Sequence, residues 1–466
     1  MSYKNDEDEK TYQSEKEKYY LKLEKSIEQK NEEPDIPSFD EIFRDLPKGG
    51  GINSLADHHN DTIFFTSLDT HLYAVNTRTG KMQWRFKTGD ISISSPLVHR
   101  KHVYFGSNDG NFYCVDLDGK LVWKKHTGDI IVGSPIAIGN KIFIGNGSGY
   151  FFCFSENGDE LWKFKTGGGL ITIPSAINNK IFIGSYDKCI YAIDLDGHQV
   201  WKFRAGERIG SSLVMDNGNP VFTYAKRSYE KCPTAKNPTI HGGSYDNHAY
   251  ALDEKGNLKW KTNCESSVTG SMSGEKNTVY ASTLSGYIYS LNAEDGKINW
   301  KFKSDGPIFY SGISKAGRLY FLCYDKKLYC VSNKGEILWE FLTSGSMASL
   351  VKIVSNKIYF GSTNSIFYCL DLEKRTVDWT FQVGMGGTEE WDEKIENLRN
   401  TMVEWDKKIF KIWKPETTKK STIVPIQNSP GYAAPRGFSF GGESTYESSR
   451  AYQPKLLEKT KKTTYR

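Results

Sequence analysis

Eight tryptophans, Trp84, Trp123, Trp162, Trp201, Trp260, Trp300, Trp339 and Trp379, recur at separations of 39, 39, 39, 59, 40, 39 and 40 residues. A period near 40 residues marks one supersecondary unit used again and again, so the chain is read first as an array. Each tryptophan closes a unit with one internal order. In the second unit this is SSPLV (94–98), HVYFGSNDG (102–110), FYCVDLDG (112–119) and KLVWKKHTG (120–128). These are four short runs of alternating apolar and polar residues between turn signals, the pattern of antiparallel strands. Aromatics at 14% and 43 glycines favour the same all-β class over a helical one.

The turn before the last run carries Gly80, Gly119, Gly158, Gly197, Gly256, Gly296 and Gly335, where a tight hairpin needs a positive φ. The eighth unit has Glu373-Lys374-Arg375-Thr376 there, which predicts a looser hairpin. A four-stranded unit cannot bury both faces alone; stacking such units around an axis closes a ring and protects the sheet edges. The expectation is an eight-bladed β-propeller over 49–384, with blades at approximately 49–89, 90–128, 129–167, 168–206, 207–265, 266–305, 306–344 and 345–384. Small residues open each unit (Ser94-Ser95-Pro96, Gly133-Ser134-Pro135, Gly210-Ser211-Ser212, Ser311-Gly312), as suits inner strands crowding an axis; a polar axial pocket is the functional alternative.

Cys114, Cys153, Cys330 and Cys369 stand where other units have Ala74, Ala192, Ala251 and Ser290, so cysteine replaces a small packed residue. No CxxC pair or Cys/His cluster at zinc spacing occurs, and reduced buried thiols are expected. The formal charge is +5, with nine Lys/Arg against fourteen Asp/Glu in 1–48 and ten against four in 414–466, so the body does not have the profile of a nucleic-acid binder. No window approaches the ~20 apolar residues of a membrane span, and Met1 to Lys18 is rich in Lys, Glu and Asp, which reads as cytoplasmic.

Three features break the regular pattern. The fifth unit has a 20-residue excess near 226–242, expected as an extra hairpin or long loop; Arg227, Tyr229, Lys231 and His241 give it the chemistry of a binding contact, against a tolerated surface insertion, and Cys232 is its thiol. After the ring, Trp391, Ile395, Leu398, Met402, Trp405, Ile409 and Ile412 follow spacings of four and three. That predicts an amphipathic helix over 388–413, capped by Thr388 and stopped by Pro415, whose apolar seam faces either the ring or a partner helix. Its first six apolar residues are the candidate partner-binding residues. The N-terminal arm, 1–48, contains a Lys/Glu-rich stretch and then a short helix in which Ser38 and Glu41 form a capping box and Phe39, Ile42, Phe43 and Leu46 share one face. The remaining tail, 414–466, has little from which to build a core and is expected to be disordered.

The Gly-Lys-x-x-Trp run followed by Thr-Gly (WRFKTG, WKKHTG, WKFKTG, with WKFRAG a variant) resembles the tryptophan-docking motif of pyrroloquinoline-quinone-like repeat propellers. The resemblance covers about 49–384 and implies that the eight tryptophans lock blade to blade. It also raises a quinone- and calcium-dependent dehydrogenase, but the adjacent cysteines of those enzymes are absent, and turn aspartates such as Asp116, Asp194, Asp253 and Asp371 recur with the repeat as hairpin residues. No catalytic or metal-binding residue is nominated and no cofactor is expected. The resemblance implies instead a non-catalytic scaffold for protein partners, with a ligand-sensing propeller as the alternative.

Overall fold

The structure, a computed structural model, describes residues 50–216, 227–343, 345–347, 349–384 and 456–458. The helices expected at 38–46 and 388–413, with Trp391, Ile395, Leu398, Met402, Trp405 and Ile409, lie outside the described residues. Within them the chain forms eight sheets, each with four antiparallel blade strands; these are consecutive in the chain except in the fifth, where Ser228–Tyr229 falls between the first and second. The first comprises Asp57–His59, Thr62–Thr66, His71–Asn76 and Met82–Lys87; the last comprises Lys352–Val354, Lys357–Gly361, Ile366–Asp371 and Thr376–Gln382. The middle two strands of each sheet are buried almost throughout, whereas fourth strands such as Glu160–Lys165 alternate between exposed and half-buried residues. The core therefore lies between sheets, as expected for blades stacked face to face around a ring.

One contact repeats at seven of the blade interfaces and explains the tryptophan period. Trp84 donates from Nε1 to Leu117 O of the next blade at 2.9 Å, and Trp379 donates to Thr77 O at 2.9 Å, which joins the eighth blade to the first. Each of these seven indoles lies on the third-to-fourth-strand turn of its neighbour. A Cβ on Gly119 would sit 2.6 Å from Trp84 Cδ2, so this glycine is required by the indole as well as by its φ of +82°. Directly across the strand pair from each tryptophan stands a small residue: Ala74, Cys114, Cys153, Ala192, Ala251, Ser290, Cys330 or Cys369. The sheet register shifts immediately after each of these residues, a bulge that recurs in every blade.

At the hairpin expected to be loose, Arg375 adopts a φ of +56° and donates its amide to Asp371 O at 2.8 Å. The turn is closed; a non-glycine residue carries the left-handed conformation, helped by Asp371 Oδ1, which accepts from the amides of Glu373 and Lys374 at 2.9 Å each. The seventh blade acquires a fifth strand: Leu456–Glu458 of the tail pairs antiparallel with its outer strand, Ile337–Leu342.

Candidate functional site

The first place to seek a site in a propeller is its axis, and here the axis is built shut. The inner strands meet there, and serines in the segments leading into them carry hydrogen bonds from blade to blade. Ser95 Oγ accepts from Leu55 N, Ser134 Oγ from Ser95 N, and Ser212 Oγ from Ile173 N, each at 2.9 Å. The small-residue runs thus answer to inter-blade bonding rather than to a polar axial pocket. Leu55, Ile173 and Leu350, which lead into the inner strands of blades 1, 4 and 8, belong to one packed cluster with Tyr229 and Tyr310.

The fifth-blade insertion completes the closure. It enters the ring: Ser228–Tyr229 pairs in parallel with the inner strand of blade 3, Ile136–Ile138. Arg227 is buried, and its guanidinium donates to Ser95 O at 3.1 Å, Pro96 O at 2.5 Å and Pro135 O at 3.4 Å. Burial lowers the Arg227 pKa, opposed by Asp57 and Tyr229. Burial also works against ionised Asp57, but Lys352 at 2.9 Å and Arg227 outweigh it and hold that carboxyl below its ordinary value. Further along, His99 bridges Ser228 Oγ at 2.8 Å and Gly139 O at 2.7 Å, while Arg100 joins Glu156 at 2.7 Å and Glu230 at 3.0 Å. Asn178 of blade 4 binds the insertion three times, to Pro233 O through its backbone amide and to both backbone groups of Ala235 through its side chain, all at 2.8 Å. The surface contact expected near 226–242 is therefore corrected in part. Arg227 and Tyr229 face inward, His241 is buried in a strand, and only Lys231 of the four is exposed. Cys232 accepts from Asn179 N at 3.3 Å, and burial pushes its thiol pKa up.

The carboxylates are equally committed. Asp116, Asp194, Asp253 and Asp371 each accept two backbone amides within their own hairpins. A second set closes the turns between second and third strands. Asp109 accepts from Tyr113 Oη at 2.5 Å and from Gly89 N of the preceding loop at 2.8 Å; Asp187 does the same with Tyr191 at 2.6 Å and Gly167 N at 2.7 Å. This clasp escaped the sequence reading, although its Asp-x-x-x-Tyr spacing recurs at Asp69, Asp246 and Asp325. Among the described residues no group of three or more His, Cys, Asp or Glu could hold a metal ion. All eight cysteines are free thiols.

Two faces remain on the ring. On one lie the first-to-second and third-to-fourth strand turns, together with the insertion. The other, the loop face, carries the second-to-third strand turns and the loops between blades. Around the axis on the loop face, Tyr186, Tyr245 and Tyr324 occupy the turn position that holds Leu68, Asn108, Gly147, Leu284 and Thr363 in the other blades. Tyr186 and Tyr245 are linked through their hydroxyls at 3.2 Å, Arg208 lies 5.6 Å from the Tyr186 ring centre, and Phe309 meets Tyr324 edge-on at 5.6 Å. Burial pushes the hydroxyl of Tyr310 up to about 12. Blades 4, 5 and 7 thus give the mouth of the loop face an aromatic arc with a guanidinium in it, and each of these side chains keeps partial solvent exposure.

The family description "Outer membrane protein assembly factor BamB" matches residues 28–149, 129–231 and 245–412. The chain belongs to the BamB family of PQQ-like repeat propellers. The fold agrees with BamB from Moraxella catarrhalis, at 17% identity and a TM-score of 0.56 over 72% of this chain and 95% of that one. The computationally designed Ika8 protein matches at 13% identity and a TM-score of 0.57, and Saccharomyces cerevisiae Sqt1 at 13% and 0.58; each match covers 72% of this chain and 96% of the other. No curated protein matches the sequence. In this BamB-family ring the residues present do not fit a quinone and calcium on the axis. Leu55, Ile173, Leu350 and Arg227 fill the space a flat cofactor would need, and the recurring turn aspartates are bound to backbone amides and tyrosines.

Proposed function

We propose that the protein is a non-catalytic scaffold: a rigid ring that holds protein partners through its loop face and its terminal extensions. The observation that carries this reading is the insertion through Arg227, which converts the axis from a pocket into a buried joint between blades 1, 2, 3 and 5. A body closed in this way offers surfaces, and the family description names an assembly factor. The ligand-sensing alternative draws no support from the axis. Among the described residues no helix is long and apolar enough to cross a membrane.

The partner contact assigned by this proposal is the apolar seam Trp391, Ile395, Leu398, Met402, Trp405 and Ile409, offered to a partner helix or to a second copy of the chain. Its test is the full chain carrying Leu398→Asp and Trp405→Asp beside wild type, followed by light scattering and affinity capture. The expected result is loss of an oligomer or of specific partners with the thermal midpoint unchanged. A drop in thermal midpoint with mass and partners retained would instead place the seam against the ring.

A further inference from the structure

The aromatic arc on the loop face is one-sided, and the chain enters the ring on that same face. Gly51 O accepts from Leu68 N at 2.9 Å, and Ile52 N donates to Ser362 O at 3.2 Å, which seats the start of the ring between second-to-third-strand turns of blades 1 and 8. In a ring of eight, blades 4 and 5 stand across the mouth from that point. We infer that the arm segment Ser38–Leu46 docks across this mouth against Tyr186, Tyr245, Phe309, Tyr310 and Tyr324, as a cap supplied by the chain itself.

Reach, shape and charge all carry this assignment. Pro47, Lys48 and Gly49 are the only residues between the segment and Gly50, and three extended residues span at most about 10 Å. A nine-residue helix is about 13 Å long, so tethered at Gly50 the segment Ser38–Leu46 can reach about 23 Å from its point of entry on the loop face. Its Phe39, Ile42, Phe43 and Leu46 recur at helical spacing, the pattern of an apolar stripe that can pack on aromatic rings. Asp40, Glu41 and Asp45 give the segment carboxylates that can meet Arg208, whose guanidinium lies 5.6 Å from the Tyr186 ring centre with Glu207 as its neighbour. The cap goes beyond the scaffold reading and does not depend on it.

The test uses the full chain with Phe39→Asp and Phe43→Asp, and a synthetic peptide of residues 36–48 added in trans. A tethered segment acts at an effective concentration of order millimolar, so a peptide with a Kd of roughly 10–100 µM would be largely docked in cis. The expected result is 1:1 calorimetric binding of the peptide to the double variant, at least tenfold weaker binding to wild type, and loss of binding when Arg208→Glu or Tyr186→Ala is added. Amide exchange at Tyr186 and Tyr245 should quicken at least tenfold in the double variant and slow again with peptide. Absence of peptide binding to the double variant overturns the inference, as does equal binding to wild type or preferential binding of a peptide spanning 390–412. A wild-type dimer that becomes monomeric in the double variant would assign the cap to a second copy and overturn docking in cis.

Discussion

The repeat is specified at single residues, and its exceptions show what each position does. The second strand of every blade sets one ring beneath the docking tryptophan: Phe64, Tyr104, Phe143, Phe182, His241, Tyr280, Tyr320 or Tyr359, at 5.5–5.9 Å between ring centres. His241 is the departure. It is wholly buried against Trp260, and neither ring nitrogen has a hydrogen-bond partner. Burial pulls its pKa from 6.5 down to about 3, with Lys259 adding to the effect. The folded state therefore rejects a proton that the unfolded chain accepts. This contribution is neutral above the unfolded value and costs about 1.4 kcal/mol per pH unit as pH falls from 6.5 toward 3. His241→Phe should raise stability by about 1 kcal/mol or more at pH 7 and flatten the decline between pH 6 and 4. Denaturant titrations across that range check it; parallel curves for variant and wild type would show that His241 is not the source. Trp300→Ala, which empties a docking site only 5% exposed, should cost about 3–5 kcal/mol by the same measurement.

Among the elements, the insertion matters most. Arg227→Ala would leave the carbonyls of Ser95, Pro96 and Pro135 without their donor and remove a cation beside Asp57. The expected cost is about 3 kcal/mol, with faster exchange at the amides of Ala137 and Gly139, which donate to Arg227 O and Tyr229 O. A loss under 0.5 kcal/mol with unchanged exchange would mean that the insertion rests on the ring without joining it. The blades themselves were legible in the sequence because the signals of a hairpin lie within a few residues of one another: tryptophan, turn glycine and the small residue across the strand pair. The course of the insertion was not. Its partners at Asp57, Ser95 and Asn178 lie far away in the chain, and a basic, aromatic stretch reads alike whether it faces solvent or fills an axis. The Tyr186, Tyr245 and Tyr324 arc was visible as Gly-Ser-Tyr-Asp twice and Cys-Tyr-Asp once. Only the ring shows that these tyrosines share one side of one mouth.

For the molecule as a whole, closure at both scales points one way. Trp379 on Thr77 closes the ring, and Lys352 pairs with Asp57 across the same seam between blades 8 and 1. Insertion and apolar side chains close the axis, so what the ring can offer is its outside. Native mass spectrometry of the tagged full chain, isolated gently from the cells that make it, tests this most directly. The account predicts added mass corresponding to one or more folded protein chains, in fixed ratio to the propeller. A bound species under about 1 kDa, retained in fixed ratio with no protein partner, would contradict it and return the axis to consideration as a ligand site.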